Sequence, residues 1–299
     1  MTSQTSADFS GLSVALATPF TSSGEVDMKA FRALVRHVAE GGADVLVVLG
    51  STGEAATITE SERDPLIAAT LEESRGKKVV AGTGHNATRQ TAAWTKRAQE
   101  LGAHGALIVT PFYNKPTPQG LVAHFRAAAD AAPGLPFIVY NVPGRTGLNL
   151  TPTALQLLWQ NEQVVAVKES SGNVAQISEI ARTLPAGKTL LSGDDNLALA
   201  SIAVGADGLV SVLGNMIPKE TKQLVDAARA GRRDEALKLN NRLLPLIDAL
   251  FLESNPIPLK AGLQMMGLGA DFVRLPLVAA SDATRSRLKE ALALAGIKY

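Results

Sequence analysis

Eight short apolar runs, separated by longer amphipathic stretches, constrain this chain more than any other feature. The runs fall at 12–18, 44–49, 78–81, 106–110, 136–140, 164–168, 189–192 and 208–212. Each is rich in Val, Ile and Leu and lacks polar alternation, which is how strands covered on both faces read. Between them, segments such as 28–40, 61–73, 88–101 and 118–131 repeat apolar residues at intervals of three and four, the period of an amphipathic helix. A weak internal repeat supports this reading. GGADVLVVLG (41–50), GAHGALIVTP (102–111) and GADGLVSVLG (205–214) each place glycine, able to take a left-handed cap, just before a buried strand.

Eight β-then-α units in roughly 230 residues predict an α/β fold, a (β/α)8 TIM barrel. The rival is a doubly wound open sheet, which usually carries a GxGxxG turn after its first strand. Here the first run is followed by Pro19-Phe20 and no such fingerprint. After about residue 230 the alternation stops. A helix is predicted over 234–252 and is broken by SNPIP (254–258), because each Pro disfavours helix at the preceding residue. Two further helices are predicted at about 259–267 and 275–295. The expected organisation is a barrel over 1–230 that carries the active site and a small all-helical C-terminal domain over 231–299, packed on the barrel.

Composition excludes several functions. The 299 residues include 29 basic and 28 acidic side chains, so no net basic field is present for nucleic acid. There is no cysteine, which removes disulfides, thiol nucleophiles and thiolate metal sites. The four histidines, His37, His85, His104 and His124, have no HxH or HExxH spacing, so no metal site is expected. The segment 1–11 is polar and lacks a signal pattern, and no apolar stretch approaches the roughly 20 residues of a membrane span. The expectation is a cytoplasmic protein with no nucleic-acid or membrane partner.

In a barrel of this kind the active site forms at the C-terminal ends of the strands. The sixth run ends in Lys168. Burial disfavours the charged form of an amine, and a neutral amine is the nucleophile for Schiff-base chemistry on a ketone. The plain alternative is a lysine at the strand edge, reaching solvent. The fifth run ends in Tyr140 and continues NVPGRT (141–146). A phenol beside an imine can relay protons, and Arg145 can grip a carboxylate with two hydrogen bonds. The alternatives are a core tyrosine and a solvated loop charge. The second run ends GSTGE (50–54), whose main-chain N–H groups and two hydroxyls, Ser51 and Thr52, suit a small anion. An ordinary capped turn would read the same way. The fourth run ends TPFYNKP (110–116), with Phe112 and Tyr113 suited to a pocket or, more readily, a subunit contact. The seventh and eighth give Ser192-Gly193-Asp194-Asp195 and Val210-Ser211-Val212. The adjacent acids argue against phosphate there. Together these strand ends make the kit of an imine-forming aldolase acting on a small keto acid, with no cofactor.

As an ordered set, GSTGE, TPFYNKP, YNVPGRT (140–146), VAVKESSG (165–172), LSGDD (191–195) and LFLESNPIPLK (250–260) resemble the dihydrodipicolinate synthase / N-acetylneuraminate lyase family. The match runs from ATPF (17–20) to the last helix. The resemblance implies that Lys168 forms an imine with pyruvate. It implies that Thr52 and its loop hold the pyruvate carboxylate, and that Tyr140 moves protons in a relay with Ser51 and Tyr113. The substrate-binding set the resemblance implies is Thr52, Arg145, Gly193 and Val210. In the family the tyrosine at the position of Tyr113 reaches into the neighbouring subunit's site, within a homotetramer built as a dimer of tight dimers. Gly-Arg-Thr at 144–146 and SNPIPLK resemble the synthase branch, where the arginine binds the carboxylate of aspartate semialdehyde. The implied reaction condenses pyruvate with L-aspartate 4-semialdehyde to 4-hydroxy-tetrahydrodipicolinate, in lysine and diaminopimelate biosynthesis. A pyruvate-dependent lyase on a sugar acid, N-acetylneuraminate or a 2-keto-3-deoxy acid, is the alternative within the family, and a non-catalytic sensor is the alternative outside it.

Two departures stand out. Ser51 occupies a position that is threonine in most synthases, and it loses a methyl that limits rotamers. The polar set that marks lysine-inhibited synthases is altered: the matching positions are Ala55, Glu60, Arg63, Gln90 and Phe112, with Asn86 kept. Weak or absent inhibition by lysine is expected.

Overall fold

The computed structural model describes residues 8–299. The reading of a leader-free N-terminus therefore falls largely outside the described residues. Eight parallel strands close into one barrel in sequence order. They are β1 (Gly11–Ala15), β2 (Val45–Val48), β3 (Lys78–Gly82), β4 (Gly105–Val109), β5 (Phe137–Asn141), β6 (Val164–Glu169), β7 (Thr189–Ser192) and β8 (Gly208–Ser211). β8 pairs with β1 through Gly11–Gly208 to Val14–Ser211, which closes the ring and leaves no edge. All eight predicted strands are present, shifted by three residues or fewer at each end.

The helices are α1 (Met28–Glu40), α2 (Glu60–Glu73), α3 (Thr88–Glu100), α4 (Pro118–Ala131), α5 (Pro143–Thr146), α6 (Pro152–Leu158), α7 (Val174–Arg182), α8 (Ala198–Ala203), α9 (Pro218–Arg229), α10 (Arg233–Ala249), α11 (Ile257–Met265) and α12 (Asp282–Leu294). Their starts are written in side chains. Asp27 accepts the Ala30 N–H before α1, and Thr117 accepts the Gly120 N–H before α4. Asn173 accepts two N–H groups, of Ala175 and Gln176, before α7. Two of the repeat glycines, Gly102 and Gly205, take positive φ as expected. In the first repeat the left-handed residue is Gly42 (φ 99°), while Gly41 stays helical.

The side chains inside the barrel form one layer-like cluster that includes Phe9, Ala15, Val45, Val47, Val80, Leu107, Ile138, Tyr140, Ala166, Leu191 and Val210. Filled this way, the barrel is a solid support whose C-terminal rim presents the loops. The C-terminal helices pack against α9 and its neighbours. Leu243, Leu246, Ile247, Leu288 and Leu292 belong to the same buried cluster as Leu12, Phe31 and Leu34 of the barrel. The last helix is shorter than the sequence suggests. It starts at Asp282 rather than 275, because Pro276 interrupts it and Ser281 supplies the cap by accepting the Thr284 N–H. The first helix of this part ends at Ala249, three residues early.

Among the described residues no helix is long and apolar enough to cross a membrane.

Candidate active site

The ladder between β5 and β6 sets Tyr140 directly beside Lys168. Both side chains are about 6% exposed, and the Lys168 Nζ lies 4.2 Å from the centre of the Tyr140 ring. Period-two alternation turns these two inward while the next residues, Asn141 and Glu169, point outward. That outer pair holds the strand ends rigid. Asn141 Nδ2 donates to Glu169 at 2.9 and 3.2 Å, and Asn141 Oδ1 accepts the Leu150 N–H at 2.8 Å. The Ser171 N–H also donates to Glu169, at 2.7 Å. The amine and phenol therefore sit on a backbone pinned from behind, as a positioned nucleophile needs.

Gly193 follows β7 and supplies the space. A Cβ placed there would fall 2.7 Å from Lys168 Cε and closer still to Ser170 Oγ, so no larger residue fits without moving the lysine. Asp194, next in sequence, is mostly buried, and burial pushes its carboxyl up to about 6 against the pull of nearby Lys168. Asp195 is fully buried and raised by desolvation, and Ser211 Oγ and the Val212 N–H donate to it. Val210 packs its side chain into the barrel interior. The β7–β8 ladder ends at Ser192–Leu209, one residue before it, so on that side the Val210 main chain is free of ladder pairing.

The GSTGE turn forms a short 3-10 helix, Ser51–Gly53, after β2. Leu49 and Glu54 take positive φ at its two ends, and Thr18 Oγ1 donates to the Gly53 carbonyl at 2.9 Å. Thr52 is buried, and Ser51 is half-buried beside it. Asn255, from the segment between α10 and α11, donates through Nδ2 to Thr52 Oγ1 at 2.9 Å. Its main-chain carbonyl accepts Arg145 Nη2 at 2.9 Å. Arg145 stands in α5, immediately after β5.

Behind the turn lies a buried charge pair. Glu54 contacts the Lys260 ammonium, with both side chains almost fully buried, and Glu54 also accepts the Arg274 N–H at 3.0 Å. Lys260 also donates to the Phe272 carbonyl and sits over the Phe20 ring at 3.9 Å. Burial lowers the Lys260 ammonium to about 8.

Tyr113 stands apart. Its side chain is 89% exposed, its φ is positive, and its N–H donates to the Thr146 carbonyl at 3.1 Å. The phenol is held out in solvent on an anchored loop. The structure thus brings Lys168, Tyr140 and Gly193 together, ties Thr52 to Arg145 through Asn255, and leaves Tyr113 outside the cluster within one chain.

Sequence reasoning missed Asn255, Glu169, Asp194 and the Glu54–Lys260 pair as parts of the site. SNPIP reads only as a helix break, and the acids of LSGDD only as an argument against phosphate. Nothing in the spacing reveals that residues 54 and 260 meet.

Comparison with known proteins agrees with this geometry. The dihydrodipicolinate synthetase family model matches residues 8–295. The chain is 44% identical over 281 residues to the 4-hydroxy-tetrahydrodipicolinate synthase of Geotalea daltonii, covering 94% of this chain and 96% of that one. Among solved structures it resembles the dihydrodipicolinate synthase from Cyanidioschyzon merolae with lysine bound (TM-score 0.93, 40% identity, 97% of this chain and 99% of that one). It also resembles the chloride-inhibited enzyme from Acinetobacter baumannii complexed with pyruvate (TM-score 0.94, 39% identity, 97% and 100%). A full-length match at this identity is far above what a shared barrel alone produces, and the chain belongs to the dihydrodipicolinate synthetase family.

Proposed function

We propose that this protein is a 4-hydroxy-tetrahydrodipicolinate synthase, condensing pyruvate with L-aspartate 4-semialdehyde through a Schiff base on Lys168. The observation that carries the reading is the buried Lys168–Tyr140 pair at the barrel mouth, in a chain whose relatives bear that name. Lys168 Nζ attacks the keto carbon of pyruvate, and loss of water leaves the imine. Removal of a methyl proton gives the enamine, whose carbon attacks the aldehyde and forms the new C–C bond. The semialdehyde's own amino group then displaces Lys168 from the keto-derived carbon, closing the ring and freeing the enzyme.

Tyr140 moves protons at the carbinolamine and imine stages, with Ser51 as the next hydroxyl and Tyr113 of the partner subunit completing the relay. Thr52 and the turn N–H groups hold the pyruvate carboxylate, Gly193 keeps the space it enters, and the Val210 main chain faces it. Arg145 receives the semialdehyde carboxylate. No cofactor or metal enters this scheme. The exposed Tyr113 is where a tight-dimer partner would sit, and assembly as a dimer of tight dimers, a homotetramer, follows the resemblance. Division into a catalytic barrel over 1–230 and a helical domain over 231–299, and residence in the cytoplasm, belong to the same reading.

A coupled assay with both substrates tests it. Turnover of pyruvate with aspartate semialdehyde is the expected result, and Arg145→Ala should raise the semialdehyde KM strongly while pyruvate still forms an imine. Turnover only with a sugar acid would place the protein elsewhere in the family.

A further inference from the structure

Asn255 hydrogen-bonds to both candidate carboxylate ligands. They come from different strand ends, Thr52 after β2 and Arg145 after β5, while Asn255 itself lies in the segment after α10. It is 8% exposed, and its Oδ1 is buried with no hydrogen-bond partner. An unpaired buried carbonyl is costly, and among the described residues Thr52 is the partner of this side chain.

The orientation has a chemical consequence. A threonine hydroxyl can donate one hydrogen bond and accept others. Asn255 Nδ2 donates to Thr52 Oγ1, so the amide uses acceptor capacity and leaves the hydroxyl proton free. The proton can then point to an anion in the Gly50–Gly53 turn. We infer that Asn255 is a positioning residue for pyruvate, fixing the Thr52 hydroxyl as a donor to the substrate carboxylate. The C-terminal helical part thereby completes a site that the barrel alone would leave loose. Its hold on Arg145 runs through the main chain, so side-chain changes at 255 act on one substrate and spare the other. This inference rests on the reading of Thr52 as a pyruvate ligand.

The test compares the steady-state KM for each substrate in Asn255→Ala, Asn255→Asp, Thr52→Val and Thr52→Val/Asn255→Ala, with thermal unfolding as the check on folding. Asn255→Ala should raise the pyruvate KM about tenfold, the worth of one buried hydrogen bond. The semialdehyde KM should move less than about threefold, because the main-chain carbonyl stays. Asn255→Asp has the same shape but adds a charge and an acceptor that competes for the Thr52 proton, so it should raise the pyruvate KM further. It also keeps the test alive should the alanine variant unfold. In the Thr52→Val background, Asn255→Ala should add less than about twofold. An equal rise in both KM values, or a full extra factor in the Thr52→Val background, would overturn the inference. If Thr52→Val alone leaves the pyruvate KM unchanged, the reading of Thr52 fails and the inference falls with it.

Discussion

Lys168 and Tyr140 face each other across the β5–β6 ladder, with Nζ 4.2 Å from the phenol ring centre. Both are almost wholly buried. Tyr140→Phe keeps the ring over the lysine stem and removes only the hydroxyl. General acid–base groups contribute about 10²–10⁴ in rate. The expected outcome is a kcat loss of at least about 100-fold with little change in melting temperature. A loss below about threefold would show that Tyr140 moves no proton.

Gly193 is required by the side chains of Ser170 and Lys168 rather than by its own backbone. Gly193→Ala places a methyl 2.7 Å from Lys168 Cε and against Ser170 Oγ. Overpacking of this kind costs about 1–3 kcal/mol. Stability measured by urea unfolding should fall in that range, and imine formation with pyruvate should slow sharply. Adding Ser170→Ala should recover stability in part and leave imine formation impaired, since the Lys168 clash remains.

The buried Glu54–Lys260 pair ties the helical part to the GSTGE turn. Lys260→Met leaves a buried carboxylate without its counter-charge, a loss of about 3–5 kcal/mol. Glu54→Gln with Lys260→Met removes both charges and should restore most of it. Chemical denaturation of the single and double variants checks this; equal destabilisation in both would mean that the pair matters for shape and not for charge.

Asp194 carries a pH signature. Its folded carboxyl is raised to about 6 from an ordinary 3.8, so the folded state holds the proton more tightly than the unfolded chain. The associated stability is fully present below about pH 4 and is lost as pH rises through about 6. The gap corresponds to on the order of 3 kcal/mol. Asp194→Asn should therefore raise the melting temperature by several degrees at pH 8 and by nothing measurable at pH 4. A gain that is the same at both pH values would contradict this assignment.

Feedback inhibition by lysine should be weak or absent. Four of the positions that match the polar set of lysine-inhibited synthases, Glu60, Arg63, Gln90 and Phe112, gather around Trp94 and His85, and their space is taken. The Arg63 guanidinium stacks 3.7 Å over Trp94 and donates to the Gly82 carbonyl at 2.6 Å. Burial lowers it to about 10, still a cation at neutral pH. Glu60 accepts from Trp94 Nε1 at 3.2 Å and lies 3.4 Å from Gln90 Nε2, and His85 lies edge-on to both Trp94 and Phe112. The Arg63 guanidinium repels an incoming ammonium, and Gln90 offers it no charge to pair with. Initial rates should be unchanged by sub-millimolar lysine, and half-inhibition in that range would refute the account.

The barrel was legible because buried parallel strands write themselves as unbroken runs of Val, Ile and Leu, and the turns between them carry glycine and capping residues. Lys168 and Tyr140 were legible for a related reason: a polar residue closing an apolar strand is a local anomaly, and Arg145 stands out in the Gly- and Pro-bearing segment just after β5. Asn255 and Lys260 were not, because their meaning lies in contacts across roughly 200 residues of chain. Only closure of the barrel, with α10–α12 packed on it, brings them to the turn at 50–54. Residues 275–281 look helical by composition, yet Pro276 and the Ser281 cap delay the helix to Asp282.

The proposed chemistry stands on Lys168 as the imine-forming amine. Incubation with pyruvate and borohydride, followed by peptide mass spectrometry, tests it most directly. One three-carbon adduct per chain is expected, on Lys168, and none in Lys168→Ala. No adduct, or an adduct on Lys260 or another lysine instead, would contradict it.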